Sequence, residues 1–189
     1  AADAYTIDQS LRVDDGDSSE LSRTFSAGDS KTFTISCWVK RGSITDNTIF
    51  IYSAGPDGNN KFEVSWASTT DTIRVENVTG SSRTLDLVTT PVYRDVASWY
   101  HICLKIDTTP ATPSSSSIGL YINGTQVTDF GTETYPSQND EMAWNKAYEH
   151  NILRSVYNSY YFDGYIAEFY SIDGTALDAS SFGETDSTT

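Results

Sequence analysis

The stretch Trp99-Tyr100-His101-Ile102-Cys103-Leu104-Lys105-Ile106-Asp107, followed after a Pro/Ser-rich loop by Ile118-Gly119-Leu120-Tyr121-Ile122-Asn123-Gly124, decides the fold. Tyr100, Ile102, Leu104 and Ile106 form an apolar row at every second position, the spacing that sets side chains on one face of a strand. Ile118, Leu120 and Ile122 repeat the row. Asn123-Gly124 then signals a tight turn, because both residues tolerate positive φ. Two strands alone cannot cover such a face, so this hairpin requires a larger sheet around it.

The rest of the chain supplies the strands. In Thr32 to Arg41, Phe33, Ile35, Cys37 and Val39 share one face, while Thr32, Thr34, Ser36, Trp38 and Lys40 take the other. Thr48 to Ser53 is a further strand. In Lys61 to Ala67, Phe62, Val64 and Trp66 alternate with Glu63 and Ser65, and Asp71 to Val78 repeats this with Ile73 and Val75. Short strands are predicted at Ser10–Val13, Glu20–Phe25, Arg83–Val88 and Thr125–Asp129. His150–Tyr157 and Tyr161–Ile172 close the sheets.

Asp14 to Ser19 is an acidic turn, and Gly55 to Asn60 a turn rich in Gly, Pro and Asn. Thr108 to Ser117, with two prolines and four consecutive serines, is expected to be mobile. Leu177 to Phe182 reads as one helical turn capped by Asp178. No heptad or helix-period segment of useful length occurs. Many short strands between frequent turns predict an all-β chain, a two-sheet antiparallel jelly-roll sandwich, with residues 1–189 forming one domain.

A Trp-Tyr-His-x-Cys strand followed by Leu120-Tyr121-Ile122-Asn123-Gly124 resembles the laminin-G-like, pentraxin and concanavalin A-like jelly rolls. Thr32–Arg41 is similar to that family's early core strand, and Tyr161 to Gly174 to its last. The opening Ser10 to Gly16 and the closing Phe162 to Phe182 resemble in particular laminin-G-like proteins of tailed phages of marine bacteria. The resemblance implies the fold and leaves function open among lectins, adhesion modules, hydrolases and virion parts.

It also implies two finer features. In pentraxins an Asp-Asn turn before a strand supplies calcium ligands, and Asp57, Asn59 and Asn60 occupy the similar place. The matching second loop, Leu153 to Asn158, has no acid, which leaves a single calcium ion or a plain polar turn. The pentraxin early-strand cysteine is bonded to the cysteine of a His-x-Cys strand, which implies that Cys37 and Cys103 face each other on neighbouring strands. They would be either bonded or packed as thiols.

Composition narrows the classes. Lys and Arg number 12 against 26 Asp and Glu, a net charge of −14, which opposes binding to nucleic acid or an anionic membrane. No run is long enough for a membrane span. Asp15-x-Asp17-x-Ser19 imitates half of an EF-hand loop but has Glu20 and Ser26 where glycine and an acid are needed. Two scattered histidines, His101 and His150, with two cysteines do not make a zinc site.

Enzymatic chemistry finds little footing. Glycoside hydrolysis needs two carboxyl groups across one bond, yet carboxylates two apart occur only at Asp15/Asp17 and Glu184/Asp186, in turn-like or terminal sequence. No Gly-x-Ser-x-Gly elbow occurs, and His101 reads as structural. The expectation is a non-catalytic module at a virion surface or outside the cell. Its partner is a host-surface glycan or other virion proteins, with self-association as a further expectation. Aromatic rings are the contact candidates for a sugar face: Trp144 and Tyr148, at the end of the long irregular stretch Phe130–Tyr148, then Tyr157, Tyr160 and Tyr161.

Overall fold

The computed structural model describes residues 9–44, 49–67 and 69–183. Thirteen strands run in order: β1 Leu11–Val13, β2 Leu21–Thr24, β3 Thr32–Arg41, β4 Ile49–Asp57, β5 Asn60–Trp66, β6 Thr72–Thr79, β7 Ser82–Val92, β8 Tyr100–Asp107, β9 Gly119–Ile122, β10 Thr125–Gln126, β11 Phe130–Thr134, β12 Glu149–Ile152 and β13 Gly164–Asp173. They form a six-stranded sheet, β1-β13-β3-β8-β9-β10, and a seven-stranded sheet, β11-β7-β6-β5-β4-β12-β2. Every pairing is antiparallel. Among the described residues helix is limited to two 3₁₀ turns, Asp15–Asp17 and Ala179–Ser181. The second is capped as expected, with Asp178 Oδ1 accepting from Ser180 N at 3.0 Å. The predicted two-sheet jelly roll is the observed architecture. Thr48 and the Glu184/Asp186 pair lie outside the described residues.

The apolar rows explain the packing. β3 pairs with β8 so that Phe33 meets Ile106, Ile35 meets Leu104, Cys37 meets Ile102 and Val39 meets Tyr100. Both rows therefore lie on one face, and all of these side chains are buried. Phe62, Val64 and Trp66 of β5, with Ile73, Val75, Leu85 and Leu87, close the core from the other sheet. Each such side chain, fully withdrawn from water, contributes about 1.5–3 kcal/mol. β7 is longer than predicted, because β6 and β11 flank it on both sides and complete its backbone hydrogen bonds.

The cysteine expectation needs correction. β3 and β8 are neighbours, but Cys37 is opposite Ile102, and Cys103 is opposite Ser36. The offset of one residue puts the two side chains on opposite faces of the sheet. Both are free and buried. Burial pushes the Cys37 thiol far up and that of Cys103 up to about 12, so both stay protonated and unreactive.

The stretch Phe130–Tyr148 also differs from expectation. Its start is β11, an edge strand, and its end enters the core. Trp144 is only 2% exposed. Its ring lies against Tyr52 at 5.5 Å, Phe62 at 6.0 Å and His150 at 4.7 Å, and its indole N–H donates to Ser171 Oγ at 3.0 Å. Tyr148 is partly buried against the same cluster. The Thr108–Ser117 loop is tied at two points: Thr108 Oγ1 donates to the Asp140 carbonyl at 2.8 Å, and Gln126 Nε2 to that of Ser115 at 2.8 Å.

Trp144→Ala is expected to destabilise the protein by about 3–5 kcal/mol, the usual cost of emptying a large buried site, measured by denaturant unfolding. Ellman titration is expected to find no reactive thiol in the native protein and two after unfolding. A reductant is expected to leave the melting temperature unchanged.

Candidate functional site

The outward face of the seven-stranded sheet carries a row of charge. In the β5–β6 register Glu63 stands opposite Glu76, and in the β6–β7 register Glu76 stands opposite Asp86. Three carboxylates in line would repel each other. Three cations separate them. Lys61 Nζ bridges Glu63 and Glu76, the latter at 2.6 Å. Arg74 grips Asp86 with two bonds of 2.9 and 2.7 Å, and Arg83 Nε donates to Glu76 at 2.9 Å. Three cations thus face three carboxylates across the sheet. Lys61, Glu63 and Glu76 are all buried.

The environments split the two glutamates. Burial is the largest influence on Glu63 and lifts it from 4.5 to about 7, against the attraction of Lys61 and the hydrogen bond from Ser155. Burial opposes ionisation of Glu76 as well. There, hydrogen bonds from Lys61 and Arg83 and the charges of Lys61 and Arg74 outweigh it and hold the group down at about 2.

A loop from Leu153 to Phe162 lies over this face. Leu153 N donates to the Ile51 carbonyl at 2.8 Å, and Phe162 N to that of Leu153 at 2.9 Å. Leu153 itself is buried with φ +73°, a costly conformation that the surrounding bonds hold in place. Ser155 Oγ donates to Glu63 Oε1 at 2.8 Å, and Ser53 Oγ to the Arg154 carbonyl at 2.7 Å. Arg154 reaches Glu20 at 2.6 Å and lies over the Tyr161 ring at 5.5 Å.

The loop presents tyrosines. Tyr157 is 46% exposed and Tyr160 47%. Lys61 Nζ sits 4.4 Å from the Tyr157 ring centre, a cation–π contact. Phe50 stacks on Tyr160 at 6.3 Å, nearly parallel. Tyr161 is partly buried beneath Arg154.

The Asp57 turn meets this loop. At Gly58 a Cβ would lie 3.3 Å from Tyr157 Cδ2, so the absence of a side chain lets the ring settle on the turn. Gly55, at φ +146°, could carry no Cβ without overlapping the Asn60 carbonyl. Two of the turn's side-chain oxygens are engaged by backbone and amide N–H groups. Asp57 Oδ1 accepts from Asn59 N at 2.8 Å, Asn60 N at 2.9 Å and Asn60 Nδ2 at 3.3 Å, and Asn60 Oδ1 accepts from Gly80 N at 3.0 Å. Among the described residues no three or more His, Cys, Asp or Glu are grouped to hold a metal ion.

Of the aromatic candidates, Tyr157, Tyr160 and Tyr161 share the loop from Leu153 to Phe162, each ring on a different support, whereas Trp144 and Tyr148 lie elsewhere. Trp144 is a core residue and cannot offer a ring face to a ligand. The charge network was not singled out from the sequence, because Glu63 and Glu76 meet only across two strands. Its signal was the outward alternation Lys61-x-Glu63 and Arg74-x-Glu76.

The histidines are structural here. His101 Nε2 is 2.8 Å from Ser36 Oγ, and burial pushes its pKa down despite the charge of Glu168. His150 accepts from Asn145 N at 3.1 Å, and its other nitrogen faces the Tyr148 carbonyl at 2.9 Å. Ser36 is 1% exposed, so a substrate carbonyl has no access to its hydroxyl.

The laminin-G-type family described as the concanavalin A-like lectin/glucanases superfamily matches residues 14–180, and the chain belongs to it. Among solved structures, the heptameric SAP-like pentraxin of Limulus polyphemus is 15% identical, with a TM-score of 0.58 over 84% of this chain and 70% of that one. The carbohydrate-binding module CBM40 of the Ruminococcus gnavus IT-sialidase is 14% identical, with a TM-score of 0.53 over 87% and 96%. Domain 4 of the arabinanase AbnA of Geobacillus stearothermophilus, solved with arabinotriose, is 14% identical, with a TM-score of 0.56 over 82% and 67%. At these identities the likeness shows the fold. A search of curated protein sequences found no match. Among the described residues no helix is long and apolar enough to cross a membrane.

The split of Glu63 and Glu76 sets a pH dependence. Between pH 4.5 and about 7 folded Glu63 keeps a proton that the unfolded chain has released, so stability falls as pH rises. Between 4.5 and about 2 the unfolded chain binds a proton that folded Glu76 does not, so stability falls as pH falls. The pair therefore contributes a stability maximum near pH 4.5. Urea midpoints measured across this range are expected to show Glu63→Gln flattening the limb above pH 4.5 relative to wild type while leaving the acid limb in place.

Proposed function

We propose that this chain is a non-catalytic carbohydrate-binding module, displayed outside the cell or on a virion, whose contact surface is the tyrosine loop. The observation that carries this reading is the pair of half-exposed rings, Tyr157 and Tyr160, mounted on a loop bonded to a buried, ion-paired platform. A sugar's C–H face packs against an aromatic ring, and a ring already held in place loses little freedom on binding. Proteins of similar fold support it: one is a carbohydrate-binding module solved with α2,3-sialyllactose, and another is a botulinum neurotoxin whose cell entry depends on two ganglioside molecules. A place on a phage fibre or appendage draws support from the resemblance of Ser10–Gly16 and Phe162–Phe182 to phage laminin-G-like proteins.

A second reading, a structural subunit making protein contacts only, has one specific observation in its favour. The edge strand β2 leaves Leu21 50% exposed, and the neighbouring Phe25 is 42% exposed. A glycan array separates the two. Binding to at least one glycan is expected, with Tyr157→Ala and Tyr160→Ala each weakening it about tenfold, or about 1.4 kcal/mol, and shifting the melting temperature little. Because Asp57 Oδ1 serves the turn itself, chelating calcium is expected to leave that binding unchanged. Absence of any glycan signal together with self-association in sedimentation would favour the structural reading.

A further inference from the structure

A pocket of about 340 Å³ opens on the sandwich edge remote in sequence from the tyrosine loop. Its walls come from both sheets: Pro91 and Tyr93 at the end of β7, Ile122, Asn123 and Thr125 to Val127 along the β9–β10 hairpin, and Thr128–Asp129, where the chain crosses toward β11. The volume lies at the small end of the roughly 300–1,000 Å³ typical of ligand sites. It suits one ring-sized unit rather than an extended chain.

The walls are held from behind. The Tyr93 carbonyl accepts from Trp66 Nε1 at 3.0 Å and from buried Arg41 at 3.2 Å, while Tyr93 N donates to the Asp71 carbonyl at 2.8 Å. The Tyr93 ring meets Tyr100 edge to face at 5.8 Å. Across the pocket, Asn123 Oδ1 accepts from His101 N at 2.8 Å, Val127 N donates to Leu120 at 2.8 Å, and Thr90 N to Asp129 at 3.0 Å. These bonds fix the frame before any ligand arrives.

They also leave a defined set of polar atoms unused. Asn123 has its oxygen engaged and its amide N–H₂ to spare. Among the described residues the Asp129 carboxylate and the Thr125 and Thr128 hydroxyls make no hydrogen bond or ion pair. The pocket thus offers a carboxylate acceptor, an amide donor and two hydroxyls beside an aromatic ring. Neighbouring hydroxyls of a sugar, each both donor and acceptor, match that inventory. No Lys or Arg lines the pocket, so nothing offsets Asp129, and the chain's net charge is −14. An anionic sugar would be repelled here.

We propose that this pocket is a second saccharide site, specific for a single uncharged pyranose unit, and independent of the tyrosine loop. The test uses purified wild-type protein with methyl β-galactoside, methyl α-glucoside and methyl α-mannoside as probes and N-acetylneuraminic acid as the charged control. Binding is read by saturation-transfer NMR and by amide shifts. At least one neutral glycoside is expected to bind and to shift the amides of Asn123 to Asp129, while the sialic acid leaves those amides unshifted. Asp129→Ala, at an exposed position, is expected to weaken that binding at least tenfold, and Tyr160→Ala to leave it unchanged. Any of three results would overturn the proposal: no neutral glycoside binding, equal shifts of the Asn123 to Asp129 amides by the sialic acid, or loss of binding in Tyr160→Ala with retention in Asp129→Ala. The last would leave the tyrosine-loop reading standing, and retained pocket binding with no effect of Tyr157→Ala or Tyr160→Ala on glycans would do the reverse.

Discussion

The register between β3 and β8 is the constraint on which the structure depends. Matching Phe33 with Ile106 and Val39 with Tyr100 brings two apolar rows onto one face. A slip of one residue would turn one row to the other side and part it from its partner. The register then dictates the opposite face, where Ser36 and His101 satisfy each other's hydrogen bonding. It also puts Cys37 in the core and Cys103 behind it. A disulfide there would have required the two rows to part company.

The second sheet uses its outward face differently. Burying charge is costly unless partners are close and fully bonded. Here the closure of the Leu153–Phe162 loop over Lys61, Glu63 and Glu76 is possible because each carboxylate already has a cation, and Ser155 supplies a further bond to Glu63. The charge network works as a mount. It ties the loop to the sheet through Ser155 and Lys61, beside Tyr157.

Reading the sequence succeeded where the information is local. Phe33, Ile35 and Val39 were assigned to the core from alternation alone, and the Asp178 cap from one residue type before a short turn. Trp144 failed because a tryptophan in an irregular stretch carries no periodic label. Its burial follows from the route of residues 142–144 across the core edge, where Ala143 N donates to Asn77, 66 positions away. The cysteine pairing failed for an instructive reason. Cys37 lies within an apolar row, whereas Cys103 alternates with Ile102 and Leu104, so their opposite facing was already written in the two patterns. The likeness to another family's bonded pair had more weight than the period.

By itself the sequence determined that this chain is all-β, which strands it has at its centre, and which side chains of those strands face inward, because a period of two is a property of neighbouring residues. Only the tertiary structure decided which outward charges meet, which aromatic rings remain in water, and where a pocket opens between Tyr93 and Asp129. Those facts join positions tens of residues apart. They depend on strand order and loop routing, which the alternation of a single strand does not contain.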